Sequence, residues 1–392
     1  MAIEPIALNF DAVDAQAMYY ALQKKLNAVW AITQLIAIVL PLLLFFSGWG
    51  AQAYELLRRH LRLWWSAAFA LFFAIAFIAL IAQIALIHFA ITMQSELIES
   101  SIPSFSGFLL AKLPEAVATS ALIGLSGILV CYLLDRKHRL MWLWLSVLAT
   151  VLGSISLMAT PALTETQPLG DTPVERRIVE MAGQLGIPIS SIAKERCHDA
   201  RSCSPGQVIG LGPTRLILLD DRLSAKTPDE QLLQVFAHEA KHYLLDNNLK
   251  PVFLIFLISS VVFLVTQTLS SAIVARHRAP YTSVAEKVKV VPLVFGLGLA
   301  TFILLQPALN TYRQHVEFEA DRFGLEFNRH NRALIEIMRS DAAANPMLFR
   351  FTPVTRYFRA THPEIRARIE FAESYHPWAN NEPIVYAQYM GK

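Results

Sequence analysis

Six runs of the chain contain no Asp, Glu, Lys or Arg: residues 26–54, 63–95, 116–134, 140–164, 251–275 and 290–312. A helix needs about 20 apolar residues to cross the hydrocarbon core of a bilayer. Core helices of soluble proteins rarely sustain more than about 15 without a charge. The pattern therefore predicts six transmembrane helices. Two polar stretches interrupt it, 165–250 and 313–392. The chain accordingly divides into an N-terminal membrane region with four spans (1–164), a first polar segment (165–250), a transmembrane hairpin (251–312) and a second polar segment (313–392). Both polar segments leave the hairpin on the same side of the membrane, so they can form one domain.

Inside the polar segments the periodicity changes. Val174–Leu185 reads as an amphipathic helix ending at Gly186. Gln207–Leu211 and Arg215–Leu219 read as short strands joined by Gly212-Pro213-Thr214. Thr227-Pro228-Asp229-Glu230 reads as a capping box with a proline at the first helical position. Leu232, Leu233, Val235, Phe236, Ala240 and Leu244 follow at helical spacing, and Asp246-Asn247-Asn248 ends the run. Further helices are predicted over 313–330, over 331–343 and after Pro363.

Composition agrees with a membrane protein. Of 392 residues, 54% are hydrophobic and 17% charged, against about a quarter charged in soluble domains. The net charge of +3 is small and its basic residues sit at span ends, so nothing points to nucleic acid. Glu4, Asp11 and Asp14 stand where the basic region of a signal peptide would be. Orientation follows from the loops. Arg58, Arg59, Arg62, Arg136, Lys137, Arg139, Arg276, Arg278, Lys287 and Lys289 lie on one side of the membrane; Lys24, Lys25 and Lys112 lie on the other. The richer side is expected to be cytoplasmic. Both polar segments would then face away from the cytoplasm, which in a bacterial inner membrane is the periplasm. Cys197 and Cys203 fit that compartment as a small disulfide-closed loop, two unrelated thiols being the other reading. Cys131 lies inside a span as a packed thiol.

The chemistry resides in His238-Glu239-Ala240-Lys241-His242. On a helix the two histidines stand one turn apart on one face and can reach one metal ion. Zinc is the usual occupant, with Glu239 placed as the base of metal-assisted hydrolysis. Catalytic zinc needs a third protein ligand. Glu317 and Asp321 share a helical face. Glu317 can be that ligand and Asp321 can accept an N–H from a ligating histidine. By spacing alone, a solvated helix face explains the two acids equally well.

Five motifs in order over residues 172–375 resemble the M48 family of membrane zinc metalloproteases, which includes the CAAX prenyl proteases and the HtpX heat-shock proteases. They are Leu185-Gly186-Ile187-Pro188; Gly210-Leu211-Gly212 with Arg215-Leu216-Ile217-Leu218; Thr227-Pro228-Asp229-Glu230 leading into the His238–His242 pentapeptide; Glu317-Phe318-Glu319-Ala320-Asp321; and Thr361-His362-Pro363 running on to Arg368. The resemblance implies zinc on His238, His242 and Glu317, one ion per chain, with Asp321 behind the ligands. It adds His362 and Arg368 to Glu239 as catalytic residues. Lys241 departs from the glycine usual there.

The resulting expectation is a mainly α polytopic membrane protein carrying a zincin-like, mostly helical protease domain with a small β-sheet. It would cleave peptide bonds of membrane-associated or misfolded proteins near the bilayer surface. The strand Gln207, Val208, Ile209, Gly210, Leu211 is a candidate edge for pairing with extended substrate, an ordinary packed strand being the other reading. Three rival functions are a zinc-binding membrane protein that does not cleave, a CAAX-type processing protease and a metal transporter. The spans lack the ionisable groups transport normally needs.

Overall fold

The computed structural model describes residues 13–98, 104–136, 139–196, 204–221, 228–245, 249–277 and 283–389. Cys197, Cys203, Thr227 and Asp246–Asn248 lie outside these residues, and with them the expected disulfide, the capping threonine and the helix stop; Pro228, expected as the first helical residue, directly precedes the helix that begins at Asp229. The described cysteine, Cys131, is buried and forms no disulfide among the described residues.

Among the described residues six helices are long and apolar enough to cross a membrane, and each overlaps a charge-free run. Two compact units are present, one of Ala21–Val147 and Leu257–Leu305, the other of Met1–Tyr20, Leu148–Phe256 and Gln306–Lys392.

The first unit is built from α1 (Val13–Ser47), α2 (Trp49–Arg58), α3 (Trp64–Ile98), α4 (Phe105–Arg136) and parts of three helices that run on into the other unit. The first charge-free run does not stay in one helix. Gly48 adopts a left-handed conformation (φ 73°) and ends α1, and the amphipathic α2 follows with Tyr54 buried. Close packing of α3 on α4 depends on small residues. A Cβ placed on Gly127 would lie 2.2 Å from the Phe72 ring, and one on Gly124 would lie 2.8 Å from Phe69. Large apolar side chains such as Ile78, Leu110 and Leu122 point outward, as a lipid-facing surface requires.

The second unit holds the polar segments. It contains most of α5 (Met141–Leu163), then β1 (Thr166–Gln167), α6 (Pro173–Leu185), β2 (Ile192–Glu195), β3 (Gly206–Ile209), β4 (Leu216–Asp220) and α7 (Asp229–Leu245). The start of α8 (Leu249–Arg276), the end of α9 (Val284–Asn328), α10 (Asn331–Ala344) and α11 (Ile365–Ser374) complete it. The four strands lie in the order β1-β2-β4-β3, with β2 parallel to β4 and the outer pairs antiparallel. Val208 and Ile192 both pair with Ile217, from opposite sides of β4. Leu232, Leu233, Phe236 and Ala240 of α7 are buried with Ile178 of α6 and Ile217 and Leu219 of β4. Helix α6 begins with a full capping box, Thr172 with Glu175, and ends at Gly186 in the left-handed conformation (φ 70°).

Two expectations about strands are corrected. The strand expected over Gln207–Leu211 stops at Ile209, because Gly210 turns the chain with φ 87°. A Cβ there would come 2.3 Å from the Thr214 carbonyl oxygen. Gly210 and Leu211 therefore belong to the turn into β4. In addition β1 and β2 are present, too short to show a pattern in the sequence. The expected helix over 313–330 is not separate either. It continues the sixth span as one 45-residue helix, α9.

Candidate metal centre and active site

Helix α7 turns its apolar face into the core and leaves His238 and His242 on another face, four residues apart. The imidazole Nε2 atoms lie 3.3 Å from each other. From α9, Glu317 brings its carboxylate oxygens to 3.3 Å from Nε2 of His238 and 3.6 Å from Nε2 of His242. One ligand atom from each of the three lies within 4.8 Å of the others. Glu319, one step along α9, points away and accepts from Arg322 at 2.5 Å and from the Tyr386 hydroxyl at 2.6 Å.

Asp321, on the same face of α9 as Glu317, is fully buried. His238 Nδ1 lies 3.0 Å from its Oδ1, and Arg368 of α11 donates to both its oxygens at 2.6 and 2.7 Å. This arrangement keeps a proton on His238 Nδ1, so that loss of the second proton would leave Nε2 as a lone-pair donor. Burial alone would raise the Asp321 pKa, but the Arg368 guanidinium and His238 hold it well below the usual carboxylate range. Burial would likewise lower the His238 pKa, yet hydrogen bonds to Asp321 and Glu317 hold it up at about 10. The pocket thus favours positive charge on its histidine face. Two imidazoles and one carboxylate, with an anionic support behind them, fit a zinc ion.

Arg368 touches Asp321 and none of the three candidate ligands, so it acts through Asp321. His362 stands at the mouth, 63% exposed, with Nε2 3.5 Å from Glu317 Oε2 and Nδ1 3.0 Å from the Thr361 hydroxyl. Lys241 is buried and donates from Nζ to the Val316 carbonyl at 3.2 Å. It therefore ties α7 to the turn of α9 that carries Glu317.

Glu239 is 7% exposed. Burial pushes its carboxyl pKa up, only partly offset by His238 and His242. Strand β3 runs directly beside it. A Cβ on Gly206 would fall 2.8 Å from Glu239 Cγ and 2.8 Å from Val235 Cγ1. Among the described residues β3 is an outer strand of the sheet, and Glu239 lies beside it. Gln207, Val208, Gly210 and Leu211 line the same cleft as His238, Glu239 and His242, a space of about 930 Å³.

Three contributors were missed in the sequence. Gly206 allows the strand's approach. Arg215 donates to the His242 and Tyr243 carbonyls at 2.7 Å each, closing the end of α7. Asp341 of α10 lines the cleft. None forms a local motif with the residues it serves.

The sequence profile described as peptidase family M48 matches residues 170–376, more than half of the chain. The chain belongs to peptidase family M48. Its M48 region contains every residue of the site described above. A relative in Bacillus subtilis (strain 168), the uncharacterized metalloprotease YhfN, is 24% identical over 253 residues, 63% of this chain. The match spans 59% of that relative's length. In architecture the chain is similar to the crystal structure of S. mikatae Ste24p, with a TM-score of 0.55 over 88% of this chain and 99% of that one, at 15% identity. The fold is mostly helical, with six candidate membrane helices and a small four-stranded sheet.

Proposed function

We propose that this M48 protein is a zinc-dependent endopeptidase that cleaves membrane-associated or misfolded proteins close to the bilayer surface. The observation that carries the reading is the convergence of His238, His242 and Glu317 with the buried Glu239 beside β3, an outer strand among the described residues. When bound, zinc supplies Lewis-acid polarisation of a carbonyl and makes water acidic enough to lose a proton near neutral pH. His238, His242 and Glu317 are the residues that hold it. Asp321 and Arg368 orient His238. Glu239, its carboxyl pKa already raised by burial, accepts the proton at a carboxylate oxygen and returns it to the leaving amine. His362 sits where it can donate to a substrate oxygen near Glu317. The β3 edge, Gly206–Ile209, pairs with extended substrate backbone and lays it past Glu239.

A non-cleaving zinc protein is disfavoured because structural zinc sites fill all four positions with protein ligands. Among the described residues three are present, with a carboxylate base beside them.

The decisive assay measures peptide cleavage and zinc content together. Glu239→Gln should lower turnover at least ~100-fold while zinc stays near one per chain. His238→Ala and Glu317→Ala should lose both, and a chelator should stop the parent enzyme reversibly. Normal turnover by Glu239→Gln would end this reading. The loop charges support a periplasm-facing site in a bacterial inner membrane. Reporter fusions after residue 392 and within 276–289 should report opposite compartments, and a cytoplasmic signal from the first would reverse the orientation.

A further inference from the structure

One wall of the cleft differs from the rest. Helix α10 turns Leu334, Ile337, Met338 and Asp341 toward it, at spacings of three, four and seven residues and hence on one helical face. Phe351 and Ile365 extend the apolar surface. Asp341 alone on this face carries charge. Among the described residues nothing donates a hydrogen bond to its carboxylate. The cation that acts on it is Arg368, whose guanidinium is already engaged by Asp321 through two bonds. Arg368 and Asp321 neutralise each other, so Asp341 remains as an unmatched carboxylate at the end of an apolar wall. Burial pushes its carboxyl pKa up, and Arg368 offsets this only in part. A desolvated acceptor of this kind is costly in the empty protein and gains most from an incoming donor.

We infer that Leu334, Ile337, Met338 and Asp341 form a side-chain subsite selecting lysine or arginine beside the scissile bond. The aliphatic stem of such a residue lies along the α10 face and its cationic end meets Asp341. This inference rests on the peptidase reading. It also excludes an acidic residue at that position, which would face Asp341 without compensation.

The test uses the full-length, zinc-loaded enzyme and peptides that differ only at the two positions flanking the cleaved bond. Lysine, arginine, glutamate and norleucine are placed there in turn, norleucine matching the lysine stem without the charge. At one of the two positions lysine should exceed norleucine by at least ~10-fold in kcat/KM, which corresponds to ~1.4 kcal/mol. In Asp341→Asn that ratio should fall to within about twofold, with zinc content unchanged. Equal turnover of the lysine and norleucine peptides at both positions, or a ratio that survives Asp341→Asn, overturns the subsite. Cleavage of no peptide at all strikes the peptidase reading instead. The subsite is then judged by binding of the lysine and norleucine peptides to the Glu239→Gln protein, where equal affinities overturn it.

Discussion

Asp321 is a fully buried side chain that stays ionised because Arg368 and His238 surround it with donors. Its substitution isolates the support of the metal site from the ligands. An asparagine there would turn its amide NH₂ toward at least one donor that now meets an oxygen, and would leave Arg368 buried without its counter-charge. The expected outcome for Asp321→Asn is a ~10–100-fold loss of zinc affinity, read by competition with a chromogenic chelator, together with a lower melting temperature from the uncompensated guanidinium. Unaltered zinc affinity would mean that His238 is positioned by something other than Asp321. His238, Glu239 and His242 were legible as residue types at helical spacing, whereas Glu317 stood level with a solvated helix face until the resemblance was drawn. Arg368 was legible only through resemblance, since it lies 47 residues from the carboxylate it holds.

At the scale of elements, the long periodic segments were legible and the short ones were not. Helix α6 was predicted to within a residue, because an apolar face and a terminal glycine agreed. Strands of two to four residues carry too little pattern, and β2 owes its existence to pairing with β4, about 25 residues farther along the chain. Glu175 shows how α6 is tied to that sheet. It accepts from Thr172 in the capping box and from Lys194 of β2 at 2.8 Å, with its side chain 2% exposed. Burial opposes its ionisation, yet the bonds to Lys194 and Thr172 hold its pKa down at about 2, against 4.5 for a free glutamate. A depressed carboxylate pKa contributes stability that is complete above the unfolded value of 4.5 and is lost as pH falls through about 2. Glu175→Gln should therefore destabilise the protein by roughly 1–3 kcal/mol at neutral pH. The gap between variant and parent in thermal melts should close as pH is lowered from about 4.5 toward 2. A gap independent of pH would show that the charge is not what Glu175 contributes.

At the scale of the whole molecule, the continuity of α9 matters most. The charge-free run ends at Tyr312 and Glu317 follows five residues later in the same helix, about 7.5 Å further along its axis. The helix that carries the candidate ligand Glu317 is thus also a candidate membrane span, which under the proposed reading places the site near the bilayer surface. Substrates already in the membrane gain local concentration there. One scissile sequence on a transmembrane anchor should be cleaved by enzyme in liposomes at least ~10-fold faster than the same sequence as a free peptide. Equal rates would leave the spans as a simple tether. By itself the sequence determined the candidate spans and the helix that carries His238, Glu239 and His242. These depend on composition and local periodicity, which a single stretch of chain contains. Only the tertiary structure decided that β3 is the outer strand, that Gly206 brings it against Glu239, and that Asp341 joins the cleft. Each of those depends on the meeting of segments far apart in the chain, and no local pattern encodes which segments meet.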